Sequence, residues 1–251
     1  MVFQDWHKGE DDEMVTQSHP TIIWDFDGTL AHRPGMWSSA LLQVLDDNEP
    51  GHQVEIAQIR HHLQRGFPWH QPDVPHPELS SPGAWWAAVE AIFAQTYHAV
   101  GLSWQRAVEL SRLVRERIVD PCGYCLYEDS LGVLEYLADR GWSHIILSNH
   151  IPELEQIVSG IGLDHLVTKC LSSAAIGYEK PHPRSFLIAL EAARNPARAW
   201  MVGDNPIADI AGAESVGIPA ILVRRPRTDG IRYHAIDLWE AARIIESRLN
   251  E

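Results

Sequence analysis

Two aspartates two positions apart, Asp25 and Asp27, follow a short apolar run at residues 21–24. A run without polar alternation is typical of a strand that is buried on both faces of a parallel sheet. Gly28 then allows a sharp turn, which leaves bare backbone N–H groups beside the two carboxylates. Carboxylates this close repel one another unless a proton or a cation intervenes, and a hard ion such as Mg²⁺ prefers oxygen ligands. The stretch therefore predicts a Mg²⁺-binding reaction centre, with a solvated turn as the alternative interpretation.

Three further groups of polar residues follow later strands or stand in loops. They are Ser148, Lys180, and Asp204 with Asp209. In an open parallel sheet the carboxyl ends of the strands meet at one edge, so polar groups far apart in sequence converge there. Together these groups supply a nucleophile, an acid or base, donors for phosphate oxygens and carboxylates for a metal. Phosphoryl transfer requires that combination.

The same residues resemble the four motifs of the haloacid dehalogenase-like (HAD) hydrolase superfamily, and they occur in the same order. The motifs are Asp25-Phe26-Asp27-Gly28-Thr29-Leu30, Ser148, Lys180-Pro181, and Gly203-Asp204 with Asp209 five residues later. The resemblance covers roughly residues 20–32 and 121–225. It implies a doubly wound parallel (Rossmann-like) α/β core and a phosphatase-type member of the superfamily. It also implies an α-helical cap inserted after the first strand, as in phosphoglycolate-phosphatase-like proteins.

The resemblance further implies a role for each matching residue. Asp25 would be the nucleophile that forms a covalent aspartyl-phosphate, and Asp27 would be the general acid and base. Ser148 would bind a phosphoryl oxygen, and Lys180 would neutralise charge on the phosphoryl group and on Asp25. The Mg²⁺ ligands would be Asp25, the backbone carbonyl of Asp27, and Asp204, with Asp209 as a further ligand or an outer-shell partner.

Asp27 favours phosphate-ester chemistry, because members that resemble the dehalogenases lack an acid at this position. A phosphomutase acting on a sugar phosphate, similar to β-phosphoglucomutase, would keep the acid and is an alternative. A non-catalytic binding protein on a HAD fold is another, although every residue that the chemistry requires is present. We expect the substrate to be a small phosphorylated metabolite, because a large cap would obstruct a folded phosphoprotein.

The pattern of hydrophobic residues divides the chain. We predict a polar leader at 1–19, a discontinuous α/β core domain at 20–32 and 119–251, and a helical cap domain at 33–118. The cap range shows amphipathic helical patterns and no convincing buried strand, whereas strands alternate with helices beyond residue 121. This alternation implies a parallel sheet with right-handed crossovers. Five strands are expected, at residues 21–24, 144–147, 166–171, 200–202 and 220–223.

Several helix starts are readable from capping residues. Ser81 with Pro82 predicts the start of a helix, and Ser103 predicts another. Asp237 and Glu240 predict a capping box for the last helix of the chain.

The predicted cap domain is rich in tryptophan, and its role is open at this stage. The residues are Trp37, Trp69, Trp85, Trp86 and Trp104. They indicate either an aromatic wall for the substrate or the core of the cap itself, and their helical spacing favours the core. Four residues directly after the first and second motifs are expected to line the pocket: His32, Arg33, Asn149 and His150. Among them, Asn149 joins Gly28 as a predicted substrate- or phosphate-binding residue.

Composition limits the classes of partner. The formal net charge of −14 over 251 residues argues against a nucleic-acid-binding surface. The sequence has no apolar run of the roughly 18 residues that a membrane helix needs, so no membrane partner is expected. The three cysteines and the polar start of the chain favour a cytoplasmic protein. The oligomeric state is not readable from the sequence.

Overall fold

The computed structural model describes residues 19–248, so nearly all of the polar leader predicted at 1–19 lies outside the described residues. The strands are β1 (Thr21–Trp24), β2 (Ala31–His32), β3 (Cys125–Leu126), β4 (Ser143–Ser148), β5 (Val167–Ser172), β6 (Ala199–Gly203), β7 (Ala220–Val223) and β8 (Tyr233–Ala235). Within residues 19–248, no helix is both long and apolar enough to cross a bilayer.

Helices occupy much of the remaining chain. The α-helices are α1 (Met36–Asn48), α2 (Ile56–His62), α3 (Pro82–Ala99), α4 (Trp104–Ser111), α5 (Val114–Val119), α6 (Ser130–Ala138), α7 (Leu154–Gly160), α8 (Ser173–Ile176), α9 (Pro183–Ala192), α10 (Gly212–Ser215) and α11 (Leu238–Ser247). Short 3₁₀ turns lie at Pro68–His70, Pro77–Leu79 and Pro121–Gly123, and a π-helical segment lies at Pro206–Ala211.

Six strands form one parallel sheet in the order β5–β4–β1–β6–β7–β8. β1 lies between β4 and β6, where Thr21 pairs with Ser143 on one side and with Ala199 on the other. The strand that carries the first motif is therefore central, and the strands that carry the second and fourth motifs flank it. The predicted doubly wound parallel α/β fold is confirmed.

Hydrophobic side chains cover both faces of the sheet. Ile22 and Trp24 belong to the cluster on one face and Ile23 to the cluster on the other, because successive side chains of a strand point to opposite faces. All three are fully buried, as the unbroken apolar run predicts. The first cluster continues into the helical part of the chain through Trp85 and Phe93. Helix α3, which contains both of these residues, therefore shares a core with the sheet.

Helices α1 to α5 are inserted between β2 and β3. Ser81 caps α3 by accepting a hydrogen bond from the Ala84 N–H, with Pro82 as the first helical residue. Ser103 caps α4 in the same way through the Arg106 N–H. Both predicted helix starts are therefore confirmed. The domain boundaries at 33–118 stay a prediction.

Two parts of the sheet structure were not predicted. β8 spans three residues and adds a sixth strand beside β7. β2 and β3 span two residues each and pair antiparallel, which ties the chain just after the first motif to the chain just before α6. Segments this short carry no usable hydrophobic period, so the sequence pattern does not reveal them.

Two local expectations need correction. Trp104 is 53% exposed, and its ring meets the His98 ring edge-on, so it is not part of a buried cap core. The predicted capping box forms only in part: Asp237 Oδ1 accepts a hydrogen bond from the Glu240 N–H, but Glu240 Oε2 accepts from the Ile236 N–H rather than from Asp237. The partner is one residue earlier in the chain, so the cap still satisfies two backbone donors.

Candidate active site

Asp25 lies at the carboxyl end of the central strand and is 6% exposed. Its backbone N–H donates to the Val202 carbonyl at 2.9 Å, which holds it at the edge of the sheet. Its Oδ1 accepts hydrogen bonds from Ser148 Oγ at 2.9 Å and from Lys180 Nζ at 2.8 Å. Its Oδ2 receives a longer contact of 3.4 Å from Thr29 Oγ1. The fold thus joins residues of the first, second and third motifs at a single carboxylate oxygen.

Asp27 is in a different environment from Asp25. Its Oδ2 lies 3.2 Å from His150 Nε2, and its Oδ1 is buried without a hydrogen-bond partner among the described residues. The imidazole of His150 is in turn buried, with its ring edge against Phe26. One carboxylate oxygen of Asp27 is therefore held by His150, and the other has no partner among the described residues. This arrangement suits a group that exchanges a proton with a substrate.

Gly28 is required for two reasons. Its φ of +86° is a left-handed conformation that side chains disfavour. A Cβ at this position would also lie 2.5 Å from Asp204 Oδ2. The turn after the first motif can therefore approach the carboxylate of the fourth motif only because residue 28 has no side chain.

Lys180 is buried between two carboxylates. Its Nζ donates to Asp25 Oδ1 and, at 2.6 Å, to Asp209 Oδ1. Burial favours the neutral amine, but the negative charges of Asp209 and Asp25 outweigh it and raise the pKa of Lys180. The side chain therefore carries a full positive charge at neutral pH.

The side chain of Asn149 forms two hydrogen bonds with the backbone of Lys180. The Asn149 side-chain amide donates to the Lys180 carbonyl at 2.9 Å, and its oxygen accepts from the Lys180 N–H at 2.7 Å. Asn149 was predicted to bind substrate, and it does line the cavity described below. Its two hydrogen bonds show that it also connects the end of β4 to the loop that presents the lysine.

Asp209 is positioned by the π-helical segment Pro206–Ala211. Its Oδ2 accepts from the Asn205 N–H at 2.9 Å, so both of its oxygens have partners. Gly203 makes room for this carboxylate, since a Cβ there would lie 2.3 Å from Asp209 Oδ2. Isolated π turns recur at functional sites, and this one turns Asp209 back towards Lys180.

Asp25, Asp204 and Asp209 form an acidic triad that could hold a metal ion. One oxygen from each lies within 4.8 Å of the others. Burial, together with the negative charge of Asp25, raises the pKa of Asp204, which a bound cation would reverse. The donors are all hard oxygens, as Mg²⁺ prefers. These residues therefore fit the predicted ion.

Arg225 is a site residue that was not predicted. Its guanidinium donates to Asp204 Oδ2 from Nε at 3.0 Å and from Nη2 at 2.6 Å. It follows β7, two strands away from β1, and no motif marks it in the sequence. The only available signal is that it follows a predicted strand on the edge where the motifs converge.

The motif side chains open into a cavity of about 520 Å³. Asp25, Asp27, Ser148, Lys180, Asp204 and Asp209 all line it. Asn149 and His150 do so as expected, whereas His32 and Arg33 are not among the lining residues. Arg33 instead lies over the Tyr124 ring, 5.3 Å from its centroid, and against Gly123.

The four tryptophans at the cavity end of the helical region differ in burial. Trp85 and Trp86 are buried in the hydrophobic core, which fits the core interpretation. Trp37 and Trp69 are partly buried, pack against the same core and also line the cavity, so both interpretations stay open for this pair.

A central parallel sheet with four carboxylates and a buried lysine gathered at its carboxyl edge defines an α/β protein with a carboxylate-based reaction centre. The model of the haloacid dehalogenase-like hydrolase family matches residues 19–217, and the chain belongs to this family.

Two curated relatives and one solved structure illustrate the range of the family. The chain is 35% identical over 153 residues to phosphoserine phosphatase from Thermus thermophilus, a match that covers 59% of this chain and 60% of that protein. It is 32% identical over 145 residues to haloacid dehalogenase-like hydrolase domain-containing protein 3 from Homo sapiens, a match that covers 57% of each. These matches thus span about three fifths of the relatives' length.

The solved structure of 2-haloacid dehalogenase from Pseudomonas syringae pv. Tomato DC3000 superimposes with a TM-score of 0.66. The superposition covers 91% of this chain and 99% of that chain at 22% identity. The likeness is one of fold.

Proposed function

We propose that this protein is a Mg²⁺-dependent phosphatase that hydrolyses a small phosphorylated metabolite through a covalent aspartyl-phosphate. The observation that carries the proposal is the bonding of Asp25, whose Oδ1 accepts from both Ser148 and Lys180 while its Oδ2 has one long contact. A carboxylate fixed in orientation at a cavity, with a lysine and a hydroxyl beside it, is arranged to attack an electron-poor phosphorus.

The first half-reaction follows from this arrangement. An oxygen of Asp25 forms a bond to phosphorus, the ester P–O bond breaks, and Asp27 gives a proton to the departing alcohol oxygen. Lys180 and the Ser148 hydroxyl stabilise the negative charge on the phosphoryl oxygens. In the second half-reaction Asp27 takes a proton from water, whose oxygen bonds to phosphorus while the bond to Asp25 breaks.

Mg²⁺ would be held by Asp25, Asp204 and the backbone carbonyl of Asp27, and it would supply positive charge to the phosphoryl oxygens. Asp209 has both oxygens engaged by Lys180 and the Asn205 N–H, so we assign it the role of orienting the lysine. Asn149 positions the lysine loop through its two backbone hydrogen bonds.

We further propose that residues 33–118 act as a cap that closes over the substrate. The cavity is lined both by strand-end residues and by residues of this range, including Trp37 and Trp69. Closure over such a cavity excludes water and selects the leaving group. The phosphatase named among the relatives supports the reaction class and leaves the substrate of this chain open.

Phosphate release from a panel of phosphorylated metabolites tests the proposal, with Mg²⁺ and with a chelator. Asp25→Asn is nearly isosteric, so the fold should persist while release falls at least about a thousandfold. Circular dichroism of both proteins controls for folding. Equal phosphate release by the variant and the wild type would contradict the assignment of Asp25 as the nucleophile. A phosphorylated isomer of the substrate in place of free phosphate would indicate a mutase.

A further inference from the structure

We infer that the leaving group of the substrate is uncharged and apolar, with a planar ring that stacks on Trp37 and Trp69. This inference rests on the proposed function and names the class of phosphate ester that the cavity accepts. It follows from three features of the cavity wall.

The cavity has two chemically distinct ends. Every Asp, Lys and His residue that lines it lies in the α/β part of the chain, outside the range 33–118. The residues that line it from the range 33–118 are Met36, Trp37, Trp69, Pro72 and Ile118. None of these five side chains is ionisable, so the end that would receive the leaving group has an apolar wall.

A carboxylate on the leaving group would find no cation at this wall. Tyr124 also lines the cavity, but its hydroxyl already donates to the Ile118 carbonyl at 3.1 Å. Arg33, the cation on the Tyr124 ring, is not among the lining residues. Moving an unpaired charge from water into an apolar wall is costly. The wall therefore selects against phosphorylated amino acids and phosphorylated carboxylic acids.

The aromatic surface is already assembled. Trp37 and Trp69 are stacked with ring centroids 5.9 Å apart and an interplanar angle of 26°. Trp69 stacks in turn on Phe67 at 4.5 Å, and Trp37 packs against Phe93 at 5.6 Å and Trp85 at 6.2 Å. Because these neighbours hold the two indoles in place, a ligand ring gains contact area without the entropy cost of ordering the two side chains.

Ile207 adds an apolar lining residue from the α/β part of the chain. It lies three residues after Asp204, in the first turn of the π-helical segment, lines the cavity and is 69% exposed. A single exposed isoleucine is ordinary on a protein surface, but at this place it enlarges the apolar area that the cavity offers to a ligand.

Three primary alkyl phosphates separate the effects of the ring and the charge: 2-phenylethyl phosphate, ethyl phosphate and phosphoserine. We expect kcat/KM to be about 10- to 100-fold higher for the phenylethyl ester than for the ethyl ester, from the apolar area of the ring. Phosphoserine should be the poorest substrate of the three. Equal values for the phenylethyl and ethyl esters, or a preference for phosphoserine, would overturn the inference.

Two tryptophan variants test the location of the ring. Trp69→Ala should lower the phenylethyl-to-ethyl ratio about tenfold, because it removes half of the stacked pair. Trp104→Ala is the matched control, since Trp104 belongs to the same helical region but is exposed and does not line the cavity. An equal change of the ratio in both variants would contradict the assignment.

A binding measurement separates this inference from the proposed function. The non-hydrolysable 2-phenylethylphosphonate should quench tryptophan fluorescence of the wild type and bind about 10- to 100-fold more tightly than ethylphosphonate. If no ester is hydrolysed but this difference is found, the phosphatase proposal fails and the aromatic site stands. If esters are hydrolysed but the two phosphonates bind equally, only the aromatic site fails.

Discussion

At the scale of single residues, the two aspartates of the first motif differ in their surroundings although they are two positions apart. Asp25 is locked by hydrogen bonds to one oxygen, whereas Asp27 meets only the His150 imidazole and keeps one oxygen without a partner among the described residues. Pairs of carboxyl groups with unlike environments are the usual basis for assigning one as nucleophile and the other as acid and base.

Asp27→Asn tests this division of labour. An asparagine cannot deliver a proton, so turnover of an alkyl phosphate should fall about 10²- to 10⁴-fold. The first half-reaction with p-nitrophenyl phosphate should fall much less, because its leaving group departs without a proton. Stopped-flow release of p-nitrophenol and steady-state phosphate release measure the two effects. Asp25→Asn is the comparison, since it should slow the hydrolysis of both esters to the same extent. If Asp27→Asn also slowed both esters equally, Asp27 would not be the general acid.

The Arg225 guanidinium holds the proposed metal ligand Asp204. Arg225→Gln should free this carboxylate and remove a neighbouring positive charge, so Mg²⁺ should bind about 3- to 30-fold more tightly. Calorimetric titration of Mg²⁺ measures the affinity without reference to activity. Arg227→Gln, an exposed arginine two residues later, is the control. Weaker binding in Arg225→Gln would show that the arginine supports the ion rather than competing with it.

At the scale of secondary-structure elements, the parallel strands place the motifs on one edge, and helix starts tie the helical insertion to the sheet. Glu153, at the start of α7, accepts hydrogen bonds from Trp86 Nε1 of α3 at 3.0 Å and pairs with Arg115 of α5 at 2.6 Å. Its side chain is 13% exposed, so this carboxylate is shielded from solvent and connects three helices.

Glu153→Ala should therefore lower the free energy of unfolding by about 1–3 kcal/mol, because it leaves a buried indole N–H and an arginine without their acceptor. Urea unfolding followed by tryptophan fluorescence measures the change. Glu155→Ala is the matched control in the same helix, since Glu155 is exposed. Similar losses in the two variants would mean that the contact with Trp86 and Arg115 contributes nothing.

At the scale of the whole molecule, one hydrophobic cluster runs from the sheet into the inserted helices, so stability is shared between the two parts. A buried ionisable group beside the candidate active site affects this stability. Glu179, next to Lys180, is 2% exposed, and burial raises its pKa to about 7 against the opposing effects of Ser173 and Lys180.

The sign of the pH dependence follows from this raised pKa. Between the ordinary value of 4.5 and about 7, the folded state keeps a proton on Glu179 that the unfolded chain has lost. Stability should therefore fall as the pH rises through this window, by an amount of up to about 3 kcal/mol. Glu179→Gln should make this slope shallower but not remove it, because burial also raises the pKa values of Asp209 and Asp204. The slope is measured as the midpoint of thermal unfolding from pH 4.5 to 8. Glu116→Gln, at an exposed position of α5, is the control and should keep the wild-type slope. If Glu179→Gln also kept the wild-type slope, Glu179 would not be a source of the pH dependence.

Local patterns in the sequence were enough to predict the parallel sheet and the convergence of Asp25, Ser148, Lys180 and Asp204. Both depend on features that lie within a few residues of each other: an unbroken apolar run makes a doubly buried strand, and a polar group at its end reaches the carboxyl edge. The family motifs mark the same positions, which is why the fold and the motif residues were readable together.

Only the tertiary structure decided which side chains contact each other across the chain. Three features depend on strand order and helix packing: the pairing of Asp27 with His150, the ion pair of Asp204 with Arg225, and the position of Trp37 and Trp69 at the cavity. The physical reason is that a hydrophobic period states which face of an element is buried but not which element covers it. The sequence by itself therefore determined which ionisable groups meet at the site, and packing decided what surrounds these groups and the form of the cavity into which they open.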